Sequence, residues 1–290
     1  MANRWLLAAR PKTLSAAAVP VLIGSALAEG TAQGAIWWVF VCALAGALLI
    51  QIATNLINDA LDFKKGTDTE DRLGPVRVTA AGLVSPEAVM RGAWSCLAGA
   101  VLFGLPLIWR GGWPILAIGL LSIAGAYVYT GGPYPLAYHG LGEIFVMIFF
   151  GLVAVGGTFW AHTLTMSSAV AIGGIAAGAL ATVLLVINNL RDVDGDRRSR
   201  KLTTVVRFGE RFARAEIALL TLLPFACAIA IAWIRTQWWI LLPLAALPLA
   251  IVLLRRVAVS TGVDLNRCLA MAGGLQWLFG LLFAIGAIVR

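Results

Sequence analysis

The chain has 290 residues, 60% of them hydrophobic and only 12% charged, about half the charged fraction of an ordinary soluble domain. Apolar runs of roughly 17–25 residues recur along its whole length, which excludes a soluble globular fold and leaves a polytopic helical membrane protein read as one domain over 1–290. The net charge of +8 would point to nucleic acid in a soluble protein; here it reads as basic residues kept on the inner side of a membrane, and no nucleic acid is expected.

Residues 1–12 carry Arg4, Arg10 and Lys12 and lead into the first apolar run. Ala26-Leu27-Ala28 resembles a signal-peptidase site, but Pro20 interrupts the run and the segment is read as a retained span. Spans follow at 13–29, 35–57, 90–109, 113–131, 141–161, 166–188, 213–234, 237–254 and 268–289. The expected fold is all-α, about nine transmembrane helices around a central cavity, with two pseudo-repeated four-helix halves and a final helix. With the N-terminus inside, 19 of the 22 Lys and Arg residues fall on inner segments and only Arg110, Arg235 and Arg290 fall outside. The tryptophans agree independently. Trp37, Trp38, Trp109, Trp113, Trp160, Trp233, Trp238 and Trp239, 8 of the 11, lie at outer ends, as an interfacial aromatic belt requires. Cys42, Cys96, Cys227 and Cys268 are widely separated and read as small packing residues; His139 and His162 form no metal pair.

Two acidic clusters close two of the spans. The first runs from Asn55 through Asn58, Asp59, Asp62, Lys64 and Lys65 to Asp68. The second contains Asn188, Arg191, Asp192, Asp194 and Asp196. On a helix Asn58 and Asp62 stand at i, i+4 on one face, and Asn188, Asp192 and Asp196 repeat that step twice. Like charges so placed repel unless a cation lies between them. Carboxylate and amide oxygens suit a hard divalent ion such as Mg²⁺, which binds through a few carboxylates plus substrate phosphates. The plain alternative is a pair of solvated helix ends, which leaves the shared spacing unexplained. Four spans separate the clusters, so both lie on the same side, and a parallel repeat about the membrane normal would bring them face to face.

Lys64, Lys65, Arg72 and Arg77 interleave with the first cluster, and Arg191, Arg197, Arg198, Arg200 and Lys201 with the second. Acids alone would fit a cation pathway, the reading that leaves an ion-coupled transporter in play; acids ringed by Lys and Arg fit a metal-bridged polyanion. Arg72 and Arg77 flank the rigid Gly74-Pro75 turn. A diphosphate on a lipid tail would put its head at these loops and its tail among the helices. The inner loop 131–140 is rich in turn formers, and its tyrosines, Tyr134 among them, either face the cavity or anchor at the interface. No phosphate-binding glycine fingerprint is present.

Ala9-Arg10-Pro11-Lys12-Thr13-Leu14, Asp62-Phe63-Lys64-Lys65-Gly66-Thr67-Asp68 with Arg72-Leu73-Gly74-Pro75, Ala81-Gly82-Leu83-Val84-Ser85-Pro86, Tyr129-Thr130-Gly131-Gly132-Pro133 and Asn188-Asn189-Leu190-Arg191-Asp192 through Lys201 and Thr203 together resemble the intramembrane aromatic prenyltransferases of the UbiA superfamily. They are most similar to the branch that prenylates 1,4-dihydroxy-2-naphthoate in menaquinone synthesis. The resemblance runs from residue 9 to about 209. Where the superfamily often has another aspartate, four residues after Asp62, this chain has Gly66, and Ala60-Leu61 stands where the branch often has an aromatic.

The resemblance implies a polyprenyl diphosphate and an aromatic acid as substrates, Mg²⁺ as cofactor, and a multi-pass place in the bacterial cytoplasmic membrane with the N-terminus and both acidic loops inside. It implies Mg²⁺ on Asn58, Asp62, Asp192 and Asp196, with Arg72, Arg77 and Lys201 stabilising the leaving diphosphate and Asp59 orienting the first cluster or binding metal. Asn55, Lys64, Lys65, Asp68, Tyr134, Asn188 and Arg191 are the expected substrate contacts. Sister enzymes acting on 4-hydroxybenzoate or homogentisate would share this site. Prenyl chain length and oligomeric state are not written in these residues.

Overall fold

A computed structural model describes residues 4–66 and 73–289; Arg72 and Asp68, both expected in the site, lie outside the described residues. Among the described residues every regular element is helical. A short helix α1 (Arg4–Ala9) and a turn lead into α2 (Ser15–Glu29), bent from that N-terminal segment by 50°. Then come α3 (Trp37–Lys64), α4 (Pro86–Gly111), α5 (Trp113–Val128), α6 (Gly142–Thr163), α7 (Ser168–Arg191), the short α8 (Val193–Arg198), α9 (Thr204–Arg235), α10 (Trp238–Val259) and α11 (Leu265–Ile288).

Seven of these helices are long and apolar enough to cross a membrane, and the bent N-terminal pair makes an eighth. The fourth of the nine expected spans, α5, has 16 residues, about 24 Å at 1.5 Å per residue against an apolar layer of about 30 Å. The described helices therefore support seven or eight spans by length, with α5 short of the criterion.

Helix ends differ from expectation where they bear on function. The helix α3 runs to Lys64 instead of stopping near 57, so Asn58, Asp59 and Asp62 are helical. It ends because Gly66 takes φ +66°, the left-handed conformation that glycine adopts without penalty at a helix C-terminus. The position where the superfamily often carries an aspartate is thus a helix stop here. The helix α9 begins at Thr204, well before 213, and breaks at Gly209. The helix α10 opens with a 3₁₀ stretch, Trp238–Ala246.

Lipid tails are as apolar as leucine, so helices associate by close packing rather than by escape from water. The central helix is α7, the most buried of the spans at 72%. Gly173, Gly174, Ala177, Gly178 and Ala181 give it a face that admits other backbones. A Cβ at Gly178 would lie 2.6 Å from the Met147 carbonyl oxygen of α6. Gly178→Val should therefore lower the yield of monodisperse detergent-extracted protein severalfold, whereas Ile175→Val on the lipid-exposed face of α7 should not; size-exclusion profiles decide.

Two cores result. One joins α2, α6, α7, α9, α10 and α11; the other joins α1, α3, α4 and α5. A cavity of about 1040 Å³ lies between them, lined by α2 to α7 and α11. The acidic end of α3 is opposite the end carrying Trp37 and Trp38, and Trp109, Trp113, Trp233, Trp238 and Trp239 are strongly exposed.

Candidate active site

The first cluster divides its labour along one helix. Asn55 is buried; its Nδ2 donates to the Ala9 carbonyl at 2.9 Å and to Thr13 Oγ1 at 3.0 Å, pinning the N-terminal segment against α3 beside the cavity. Asn58 lines the cavity one turn on and accepts a hydrogen bond from Thr130 Oγ1. Asp62 stands one turn further out, accepting from Arg77 Nη2 at 3.1 Å and from the Tyr138 hydroxyl at 2.9 Å. Lys65 Nζ donates to the Thr130 carbonyl at 2.5 Å and sits 4.3 Å above the Tyr138 ring.

Of the two roles expected of Asp59, orienting the first cluster or binding metal, its surroundings fit the first. Its side chain is 1% exposed and turned away from the cavity, accepting from the Val78 and Thr79 amides at 3.2 and 3.1 Å and from the Thr79 hydroxyl. A carboxylate so surrounded by donors fixes the chain immediately after Arg77. Its odd step along the helix puts Asp59 on the side facing Val78 and Thr79. Tyr134 is 54% exposed and stacked on His139, ring centroids 3.6 Å apart. The tyrosine of this loop that touches the first cluster is Tyr138. Lys64 is exposed and apart from this network.

The second cluster closes α7. Arg191, with its side chain 1% exposed, donates through Nε to Asp192 Oδ1 at 2.8 Å and through Nη2 to Asp192 Oδ2 at 2.6 Å and Asn188 Oδ1 at 2.7 Å. Such bidentate pairing fixes a carboxylate's direction as well as its charge. Asp194, which stands off the i, i+4 face of Asp192 and Asp196, is exposed and paired among the described residues with Arg197. Asp196 lies 3.6 Å from Lys201 Nζ, and its Oδ2 is buried with no hydrogen-bond partner. Burial pushes the Asp196 carboxyl up to about 6 despite the pull of Lys201, with further upward pushes from Asp192 and Asp62. The clusters of the two halves therefore meet: Asp62 and Asp192 repel the same carboxylate, and Tyr138 joins Asp62 while its ring lies 5.8 Å from Lys201.

Below this polar end, Arg10, Lys12, Asn188 and Arg191 line the mouth of the cavity and apolar residues line the rest. Tyr129, Phe145 and Phe149 make an aromatic wall, with centroids 5.6 and 4.3 Å apart in turn. A π-helical segment, Ile148–Val153, widens α6 where Phe149, Phe150 and Val153 face the cavity, a local irregularity frequent at functional sites. Arg10, Lys12, Tyr138, Thr130 and Asn266 were not among the expected site residues. Arg10 and Lys12 read as topology signals in sequence, and Asn266 stands in a helix with no motif. Glu143 is another: buried, it accepts from Asn189 Nδ2 at 3.0 Å and Thr204 Oγ1 at 2.6 Å, bracing the second acidic loop.

Among the described residues, no three carboxylate, histidine or cysteine groups are arranged to hold a metal ion as they stand. The donor set still fits a hard cation. Asn58 and Asn188 offer amide oxygens, Asp62, Asp192 and Asp196 offer carboxylates, and the unpartnered Asp196 oxygen is costly to bury without a cation.

Residues 17–283 match the model of the UbiA prenyltransferase family. The chain belongs to that family. Its relatives include a 1,4-dihydroxy-2-naphthoate octaprenyltransferase of Mycobacterium tuberculosis, 39% identical over 86% of this chain and 84% of that one. Another of that name from Haemophilus influenzae is 34% identical over 98% and 96% of the two chains. A solved UbiA homologue from Archaeoglobus fulgidus, bound to GPP and Mg²⁺, superposes over 99% of both chains with a TM-score of 0.69 at 17% identity, a likeness of fold. Family membership accounts for the architecture: a UbiA prenyltransferase needs an apolar chamber with a charged mouth, and this chain has both.

Proposed function

We propose that this protein transfers a polyprenyl group from polyprenyl diphosphate to 1,4-dihydroxy-2-naphthoate, releasing diphosphate and carbon dioxide and leaving demethylmenaquinone in its reduced form. The acceptor rests on relatives of that named activity aligned over most of the chain. The chemistry rests on one observation: two acid–amide clusters converge at the mouth of a large apolar cavity.

In this reading Asn58, Asp62, Asp192 and Asp196 would hold Mg²⁺, which when bound neutralises the diphosphate and makes it a better leaving group. Arg77 and Lys201 bind diphosphate oxygens directly and stabilise the charge that grows as the C–O bond breaks, and Arg72 joins them from the same loop. Arg10 and Lys12 lie where an anionic ring carboxylate or a diphosphate oxygen would enter. The aromatic wall of Tyr129, Phe145 and Phe149 holds the allylic carbon, whose positive charge favours ring faces. The apolar lining excludes water until the naphthoate ring attacks at its carboxylate-bearing carbon. The protein works in the bacterial cytoplasmic membrane with both acidic loops on the inner side.

The deciding assay gives membranes a long polyprenyl diphosphate, Mg²⁺ and an equimolar mixture of 1,4-dihydroxy-2-naphthoate, 4-hydroxybenzoate and homogentisate, with products read by mass spectrometry. Prenylated naphthol should dominate and vanish with chelation of the metal. Exclusive prenylation of 4-hydroxybenzoate would overturn the acceptor.

A further inference from the structure

The last helix brings one side chain into the mouth of the cavity. Asn266, in the first turn of α11, lines the cavity together with Gly74, Pro75 and Arg191. Both ends of its carboxamide are used. Oδ1 accepts from Arg191 Nη1 at 2.9 Å, and Nδ2 donates to the Leu73 carbonyl, also at 2.9 Å and 193 positions away in sequence. Leu73 also packs near the start of this helix, since a Cβ at Gly262 would lie 3.6 Å from its Cδ1. The turn after the first acidic cluster is thereby fastened to the arginine that orients Asp192. A carboxamide meets both demands from its two ends, because the guanidinium needs an acceptor and the carbonyl needs a donor.

We propose that Asn266 is a positioning residue that clasps the Leu73–Pro75 segment over the cavity mouth and keeps water from the allylic carbon. The inference rests on the prenyl-transfer reading above. An allylic cation has two competing nucleophiles, the aromatic ring and water. With the clasp open, the bond to diphosphate still breaks, its electron pair leaving with the diphosphate. A water oxygen then bonds the allylic carbon and loses a proton to solvent, giving polyprenol. The clasp therefore sets the partition between products as well as the rate.

The test compares the wild type with Asn266→Leu and Asn266→Asp in lipid nanodiscs, given polyprenyl diphosphate, Mg²⁺ and 1,4-dihydroxy-2-naphthoate, with polyprenol and prenylated naphthol quantified together. Leu loses both bonds and should raise the alcohol-to-transfer ratio by roughly tenfold or more, as expected when a water-excluding contact opens. Asp keeps the bond to Arg191 but repels the Leu73 carbonyl, so its ratio should fall between wild type and Leu. Hydrogen exchange at the amides of 73–84 should quicken in the same order. An unchanged ratio with both products falling together would reduce Asn266 to a structural contact and overturn the proposal. Should the Leu variant not accumulate, a wild-type ratio in the Asp variant would overturn it equally. A wild type that prenylates no naphthoate would instead remove the functional reading itself.

Discussion

Asp62→Asn and Asp192→Asn should each lower prenyl transfer by on the order of 10²–10³-fold or more, the loss expected when one group aimed at developing charge is removed from a water-poor site. Asparagine keeps the volume of aspartate and one oxygen to accept from Tyr138 or from Arg191 Nε, but its amide turns a donor toward Arg77 Nη2 or Arg191 Nη2, so each variant loses one bond together with the negative charge. Arg77 and Tyr138 both hold Asp62, and Arg191 grips both oxygens of Asp192. The thermal unfolding temperature of each variant should fall, because buried Arg77 or Arg191 loses its counter-charge, so rates are compared well below it; Lys64→Ala, altering an exposed side chain, should change transfer less than about threefold. Steady-state rates across a Mg²⁺ titration check all of this. Near-normal transfer in both aspartate variants would sink the idea that the clusters hold the diphosphate.

Much of this site is legible in sequence because the decisive signal is local. Asn58 and Asp62, like Asn188, Asp192 and Asp196, announce themselves through spacing on one helix face, and the distribution of Lys, Arg and Trp is enough to put both clusters at the same end of the bundle. What the sequence hides is long-range. Asp59 looks as available as Asp62 until the 77–79 backbone is seen folded onto it. Tyr134 and Tyr138 share one loop, and only the packing of Asp62 and Lys65 on one of them tells the two apart. Asn266 and Glu143 sit among ordinary helix residues and gain meaning from partners far along the chain. Helix count suffers from the same limit: α5 is apolar throughout, yet its length is decided by where Gly112 and Tyr129 end it.

The charge that makes Asp196 useful should also make it expensive, and Asp196→Asn should separate the two. Its side chain is about 10% exposed, and burial raises its carboxyl from 3.8 to about 6, with Lys201 offsetting only part of the effect. Holding it ionised at neutral pH therefore costs the ligand-free fold on the order of 3 kcal/mol at 1.36 kcal/mol per pH unit. The sign follows from linkage: a carboxyl whose folded value is raised subtracts stability as pH rises from about 4 to about 6, and subtracts the full amount above that. Asp196→Asn should thus raise the unfolding temperature of the ligand-free protein at pH 7.5 by several degrees while lowering transfer at least ~10²-fold. The gain over wild type should shrink as pH is lowered through 6 and vanish below about 4. Adding Mg²⁺ with diphosphate should stabilise wild type more than the variant, because the carboxylate then has the cation it was buried to meet. A variant less stable than wild type at pH 7.5 would mean that the Lys201 pair outweighs burial, and the carboxylate would then be a structural ion pair.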